Sequence, residues 1–228
     1  MLAVDTASRT EALALAEGDW AVSLLACRTR RGHAGLLLPQ IDRQLAQQGW
    51  SMDELDGFGV VVGPGSFTGV RVGIATIAGL ARATGKPAFA YGSLQARALA
   101  LRGLADPVVP ILDARKGEVY GAAYLGDQVL LAPRAAPPGE FATALAEAIP
   151  EGPMTAIGGG ARLYAELFAH RLGGRLVAGG GRADFPGVAE MAIDVARRVA
   201  AGEVPRGDEL APVYLRASSA ELTLPPRA

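Results

Sequence analysis

Three short clusters hold the residues best placed to do chemistry. The first is Gly63-Pro-Gly-Ser-Phe-Thr-Gly-Val-Arg-Val-Gly73. An apolar, strand-like run feeds it and a helix-like run leaves it. Its glycines permit a tight turn and a close approach to backbone, with Thr68 expected to cap the helix. The spacing is not that of a P-loop, since G-x-x-x-x-G-K-[ST] is missing and no lysine follows. It is not a dinucleotide G-x-G-x-x-G either, because Thr68 occupies the last glycine's place. Its bland reading is a turn followed by close helix packing. The other two clusters are aspartates that end strand-like runs, Asp5-Thr6 and Asp113-Ala114. In α/β proteins, ligands meet the carboxyl ends of strands, where helix N-termini point. Metal and thiol chemistry has little material. Cys27 is the sole cysteine, which excludes an internal disulfide framework and a cysteine-rich zinc site, and it reads as a buried, inert thiol. Neither His33 nor His170 has a second histidine nearby or a recognisable triad around it.

Positioning these clusters takes a repeated set of elements. Strands are expected at 2–6, 11–16 and 20–28. A helix follows over about 34–48, with Leu37, Leu38, Ile41 and Leu45 at helical spacing and Gly49 as its stop. A buried strand at 57–62, a helix at 68–84, a strand at 87–91 and a helix at 93–102 complete the first unit. The order then recurs, with strands at 108–113, 117–124 and 128–131, a helix at 139–148, and a strand at 154–157 ending in Gly158-Gly-Gly160. A helix at 162–171, a strand at 175–177 and a last helix at 188–201 follow. The chain thus reads as an α/β duplication, βββαβα in each lobe. The lobes are 1–103 and 104–228, with the last helix expected to pack back on the first. Two such units facing each other across a cleft describe the actin-like (ribonuclease H-like), sugar-kinase and Hsp70 architecture.

Composition narrows the function classes. The 228 residues are half apolar, with 22 Lys and Arg against 23 Asp and Glu, a formal net charge of −1. A protein that holds nucleic acid alone usually carries a basic surplus, so tight RNA binding by this chain alone is disfavoured. The run Arg28-Thr-Arg30-Arg31 reads as a solvated strand end. No apolar stretch is long enough to cross a membrane, and the start at Met1-Leu-Ala-Val-Asp5 does not read as a signal peptide. The cytoplasm is the expected compartment. Trp20 and Trp50 lie beside turns and are expected to pack at edges.

At the glycine cluster the sequence resembles a known family. Gly63-Pro-Gly-Ser-Phe-Thr-Gly-Val-Arg71 looks like the signature of the TsaB proteins, formerly called YeaZ. Asp5-Thr6, Asp113-Ala-Arg-Lys-Gly-Glu-Val-Tyr120 and Ala211-Pro-Val-Tyr-Leu-Arg216 match further family motifs in order. The resemblance implies the two-lobed actin-like fold and a role in making threonylcarbamoyladenosine beside the tRNA anticodon. It implies a non-catalytic scaffold that works with the transferase TsaD and the ATPase TsaE and meets tRNA only through that complex. The catalytic relative holds metal with an H-x-x-x-H pair, and Ser93 and Arg97 stand where those histidines would be. The resemblance therefore implies no metal here. Asp5, Thr6 and Asp113 become a vestigial nucleotide site, because Thr6-Ala-Ser8 and Ala114-Arg-Lys116 lack the phosphate-turn glycines of hydrolysing relatives. No cofactor of its own is expected beyond weak or shared ATP or ADP binding. TsaB sequences often carry a histidine at the place of His33, which otherwise reads as a local cap.

The partner surface is expected on the first-lobe helices, through Leu37, Leu38, Ile41, Leu45, Gly69, Arg71 and Gly73. Leu36, Leu37, Leu38, Ile41 and Leu45 exceed what one narrow core stripe needs. Glycine costs roughly 1 kcal/mol against alanine inside a helix, so Gly69, Gly73 and Gly79 call for a close compensating contact. That contact is expected either within the chain or with a partner, which the resemblance implies is TsaD or, in its absence, a second copy of this chain. The alternatives are a metallopeptidase-like or nucleotide-hydrolysing enzyme of the same superfamily, or a small-molecule module using the cleft.

Overall fold

A computed structural model describes residues 1–28, 35–180 and 185–216. His33, Arg30 and Arg31 lie outside the described residues. The first sheet comprises β1 (Leu2–Asp5), β2 (Thr10–Glu17), β3 (Trp20–Arg28), β4 (Phe58–Gly63) and β5 (Ala88–Gly92), in the order β3-β2-β1-β4-β5. The second comprises β6 (Val108–Arg115), β7 (Glu118–Leu125), β8 (Gln128–Ala136), β9 (Met154–Ile157) and β10 (Leu176–Ala178), in the order β10-β9-β6-β7-β8. Reversed, that order is the first sheet's order with every strand advanced by five. In both, three antiparallel strands precede two parallel ones. This is the two-lobed, duplicated actin-like fold.

The period-2 alternation of the strands decides what each face of the first sheet accepts. Leu2, Val4, Leu13, Leu15 and Phe58 point to one face, against α1 (Leu37–Gln48) and α2 (Phe67–Thr84). Ala3, Ala12, Ala14 and Ala16 point to the other. That face is shallow because α7 (Val188–Ala200), the last helix of the chain, crosses β1, β2 and β3 there. Glycines deepen the fit: a Cβ on Gly59 would lie 3.0 Å from a Val195 methyl, and one on Gly57 3.0 Å from Val199. Such contact distances in a close-packed interior leave no room for a larger residue. The Tyr91 hydroxyl donates to Asp194 at 2.7 Å and ties β5 to α7. Burial, then the Asp194 carboxylate, push that hydroxyl's pKa well above the usual tyrosine range.

α3 (Ser93–Leu99) lies where the lobes meet. Leu94 and Ala98 pack with Val108, Ala122, Tyr124 and Ile157 of the second sheet, while Ala96 joins the α7 cluster. The outer face of the second sheet buries Val109, Ile111, Val119 and Leu131 under α4 (Pro138–Ala148) and α6 (Ala165–Leu172). The helix expected over 162–171 is in fact two. A five-residue α5 (Gly159–Leu163) breaks at Tyr164, whose φ of −115° is not helical. β8 runs five residues beyond its expected end, because β7 continues beside it and supplies hydrogen-bond partners. Trp20 is 78% exposed on the edge strand β3, not packed as expected, and Cys27 is only half-buried. Among the described residues no helix is long and apolar enough to cross a membrane.

Candidate functional site

The end of β1 is a closed constellation. Asp5 and Thr6 are fully buried. Asp5 Oδ1 accepts the Ala7 N–H at 2.7 Å, and its Oδ2 lies 3.5 Å from Arg97 Nη1, with the two side chains 0% and 3% exposed. Arg97 Nη1 also donates to the Ser93 carbonyl at 2.8 Å. Ser93 and Arg97 are one helical turn apart, and both are buried. The chain therefore answers the Asp5 charge with its own guanidinium. A guanidinium is a permanent cation with donors and no lone pair to offer, so it cannot ligate a metal. The residues present do not fit the paired-histidine metal site of the catalytic relative, and no group of metal-binding side chains occurs among the described residues.

The glycine cluster is built onto this constellation. Gly63, at φ +116°, ends β4, and Ser66 opens α2 by accepting the Gly69 N–H at 3.2 Å. Ser66, not Thr68, is the cap, because the helix starts one residue earlier than the spacing predicts. Thr6 Oγ1 donates to the Gly69 carbonyl at 2.7 Å. A Cβ on Gly69 would run into the Thr6 carbonyl, and one on Gly73 into the Thr6 hydroxyl. These two glycines, expected in the partner interface, are buried against Thr6 within the chain. Gly79 differs, since a Cβ there would meet nothing within 4 Å.

Burial corrects the first-helix expectation too. Leu37, Ile41 and Leu45 are 1%, 0% and 4% exposed and belong to the chain's own core. The large apolar residues left outside at α1 are Leu38, at 47%, and its neighbour Leu36, at 40%. On α2 the outward face reads Arg71, Ala75, Gly79 and Ala83, all exposed at helical spacing. Of the expected partner residues, Leu38 and Arg71 remain available.

In the second lobe, Asp113 lies two residues before the end of β6, whereas Asp5 ends β1, and the Asp113 Oδ1 accepts the Arg115 N–H at 2.7 Å. Asp113 is exposed. Arg115, Lys116 and Gly117 turn the chain with φ of 61°, 55° and 79°. The C-terminal motif then joins the lobes. Val213 N–H donates to the Val62 carbonyl at 2.7 Å, and Arg216 Nη1 lies 2.7 Å from Glu118 on β7. Tyr214 stacks on Phe67 with ring centroids 5.7 Å apart. Arg71 places its guanidinium 3.7 Å above the Phe67 ring and donates Nε–H to the Tyr214 hydroxyl at 3.2 Å. Sequence reasoning missed the pairing of Phe67 and Arg71 with Tyr214, and of Glu118 with Arg216. All of them lie inside the family-like motifs, but local spacing carries no sign that Arg71 has a partner 143 residues away. Two grooves, of about 840 Å³ beside α2 and Val204–Asp208 and about 230 Å³ beside Gly158 and Phe168, are lined by none of Asp5, Thr6 or Asp113.

Comparison with known proteins agrees with this architecture. The family model described as TsaD, tRNA N6-adenosine threonylcarbamoyltransferase, matches residues 27–163. The tRNA threonylcarbamoyladenosine biosynthesis protein TsaB of Haemophilus influenzae is 38% identical over 133 residues, 57% of this chain and 55% of that protein. The chain spans about half the length of the curated relatives it matches. A Pseudomonas aeruginosa crystal structure, described as an uncharacterized protein with similarity to peptidase YEAZ, superposes with a TM-score of 0.78 at 30% identity. It covers 94% of this chain and 98% of its own. The ROK hexokinase of Thermus thermophilus shares the fold alone, with a TM-score of 0.53 at 16% identity over 87% of this chain and 99% of its own. The chain belongs to the family that this model describes and, within it, to the TsaB (YeaZ) branch of the actin-like superfamily.

Proposed function

We propose that the chain is a non-catalytic, activating subunit in the formation of threonylcarbamoyladenosine next to the tRNA anticodon, working with a TsaD-type transferase and a TsaE-type ATPase. The buried Asp5–Arg97 pair carries the non-catalytic part of this reading. Where a transferase of this superfamily needs a metal, this chain has an arginine. The Asp5 carboxylate is already engaged by that cation and by the Ala7 N–H. Membership of the TsaB branch and the names of its relatives support the pathway.

The partner surface in this reading is the outward side of α1 and α2. Leu36 and Leu38 supply exposed apolar area, and Ala75, Gly79 and Ala83 form a face without bulk, which lets another helix approach closely. The occupant is the TsaD-type subunit, with a second copy of this chain in its absence. Asp5, Thr6 and Asp113 are the remnant of a nucleotide site, and any ATP or ADP is held weakly or jointly with a partner.

Reconstitution tests the proposal. The modified nucleoside should form when this chain, TsaD- and TsaE-type proteins, tRNA and their substrates are combined, and should drop to background without this chain. The chain alone should turn over neither ATP nor peptides. Turnover by the purified chain that Asp5→Asn abolishes would establish the enzyme reading instead.

A further inference from the structure

We propose that the Phe67–Arg71–Tyr214 cluster, with the basic β6–β7 turn beside it, is a stacking surface for single-stranded RNA. Within the proposed function, on which this inference rests, that strand belongs to the anticodon loop. Phe67 and Tyr214 are 47% and 44% exposed although they stack on each other, so ring area remains open to a further π-face. Arg71 covers one face of the Phe67 ring and holds the Tyr214 hydroxyl, which braces both rings. Exposed aromatic rings braced by a guanidinium are the chemistry that sequence-tolerant single-strand binding uses, because every base has a π-face.

The surroundings favour a polyanion over an apolar protein segment. Tyr214 is two residues from Arg216, which pairs with Glu118, and Glu118 pairs in register with Arg115. Arg115 and the adjoining Lys116 are exposed at the turn. Along the path from the cluster to the β6–β7 turn, the four cations Arg71, Arg115, Lys116 and Arg216 outnumber the two carboxylates Asp113 and Glu118, on a chain whose net charge is −1. The exposed N-terminus of the 18-residue α2 starts at Phe67 and adds the positive end of its dipole. Aromatic area here is limited to two rings, too little for an apolar docking face but enough for one or two bases.

The test uses a fluorescein-labelled anticodon stem-loop RNA, titrated at two salt concentrations into the full chain mixed with its TsaD-type partner. Tyr214→Leu keeps apolar bulk but loses the ring, and should weaken RNA binding at least about fivefold. Arg115→Glu with Lys116→Glu should weaken it further and flatten the salt dependence. A pull-down of the partner by the same variants should be unchanged. RNA binding within twofold of the parent for both variants overturns the proposal. So does loss of the partner without loss of RNA, which makes this a protein contact, or full displacement of the RNA by ATP, which makes it a mononucleotide site. Failure of the parent chain to support nucleoside formation would instead remove the functional reading, a result separable from the RNA titration.

Discussion

Asp5 and Asp113 lie at or near the ends of equivalent strands, and each holds the backbone N–H two residues on at 2.7 Å, yet one is sealed and the other open. At Asp5, the helix after β5 returns to the strand end and inserts Arg97. At Asp113, the same local turn faces solvent, with Arg115 and Lys116 in left-handed conformations beside it. The glycines differ in the same sense. Gly63 makes room for the carbonyl of Val213, from the far end of the chain, whereas Gly158 makes room for the carbonyl of Ile111 in its own lobe. Duplication preserved the strand-end aspartate and the tight turn. What differs is what each lobe packs on top of them.

The largest way to break this comparison is to remove the sealing charge. Arg97→Met should destabilise the chain by about 3–5 kcal/mol, since it leaves a carboxylate buried without its cation. Adding Asp5→Asn to that variant should restore most of the loss. Asp113→Asn should change stability by less than about 0.5 kcal/mol, because the group is exposed and asparagine still accepts the Arg115 N–H. Urea unfolding of the four proteins measures all of this. Equal costs at Arg97 and Asp113 would mean that the two strand ends are energetically alike and the contrast is wrong.

The glycine contacts come next. Gly69→Ala drives a methyl into the Thr6 carbonyl and should cost about 1–3 kcal/mol. Gly160→Ala should cost a similar amount, because its Cβ would lie 2.8 Å from the Leu112 carbonyl carbon. A thermal-melt series that finds either substitution neutral would show that its turn can relax and is not a fixed part of the duplicated frame.

Leu38→Glu sharpens the comparison on the outer face of the first lobe. It should leave circular dichroism and the melting temperature unchanged while weakening association with a TsaD-type partner at least about 10-fold, the result of about 1.4 kcal/mol. Leu37→Glu, one residue away but in the core, should unfold the chain. Calorimetric titration of folded Leu38→Glu with parental affinity would move the interface off α1.

The smallest effect is at Gly79. Alanine there should stabilise the isolated chain by about 0.5–1 kcal/mol, since its added Cβ meets nothing and helix propensity improves. The same substitution should lower partner affinity if another helix approaches that face closely. A stabilised variant with unchanged affinity would show that the small face of α2 is not a docking surface.

The sequence by itself determined the order of the strands, the duplication and the family, because apolar periodicity, glycine stops and the motif Gly63–Arg71 are local properties. It also marked Ser93 and Arg97 as a departure from metal-binding histidines. It could not decide which apolar residues of α1 face outward: Leu36, Leu37 and Leu38 are chemically alike, and only the rotation of the helix on its sheet buries Leu37 and exposes the other two. Nor could it assign the α2 glycines: helical spacing pairs Gly69 with Gly73 and sets Gly79 on another face, but only the fold shows that the first two lie over Thr6. The joining of Phe67, Arg71 and Tyr214, and of Arg216 to Glu118, depends on where the chain's last described segment is led by α7. Long-range contacts of that kind have no local signature, so tertiary structure alone placed them.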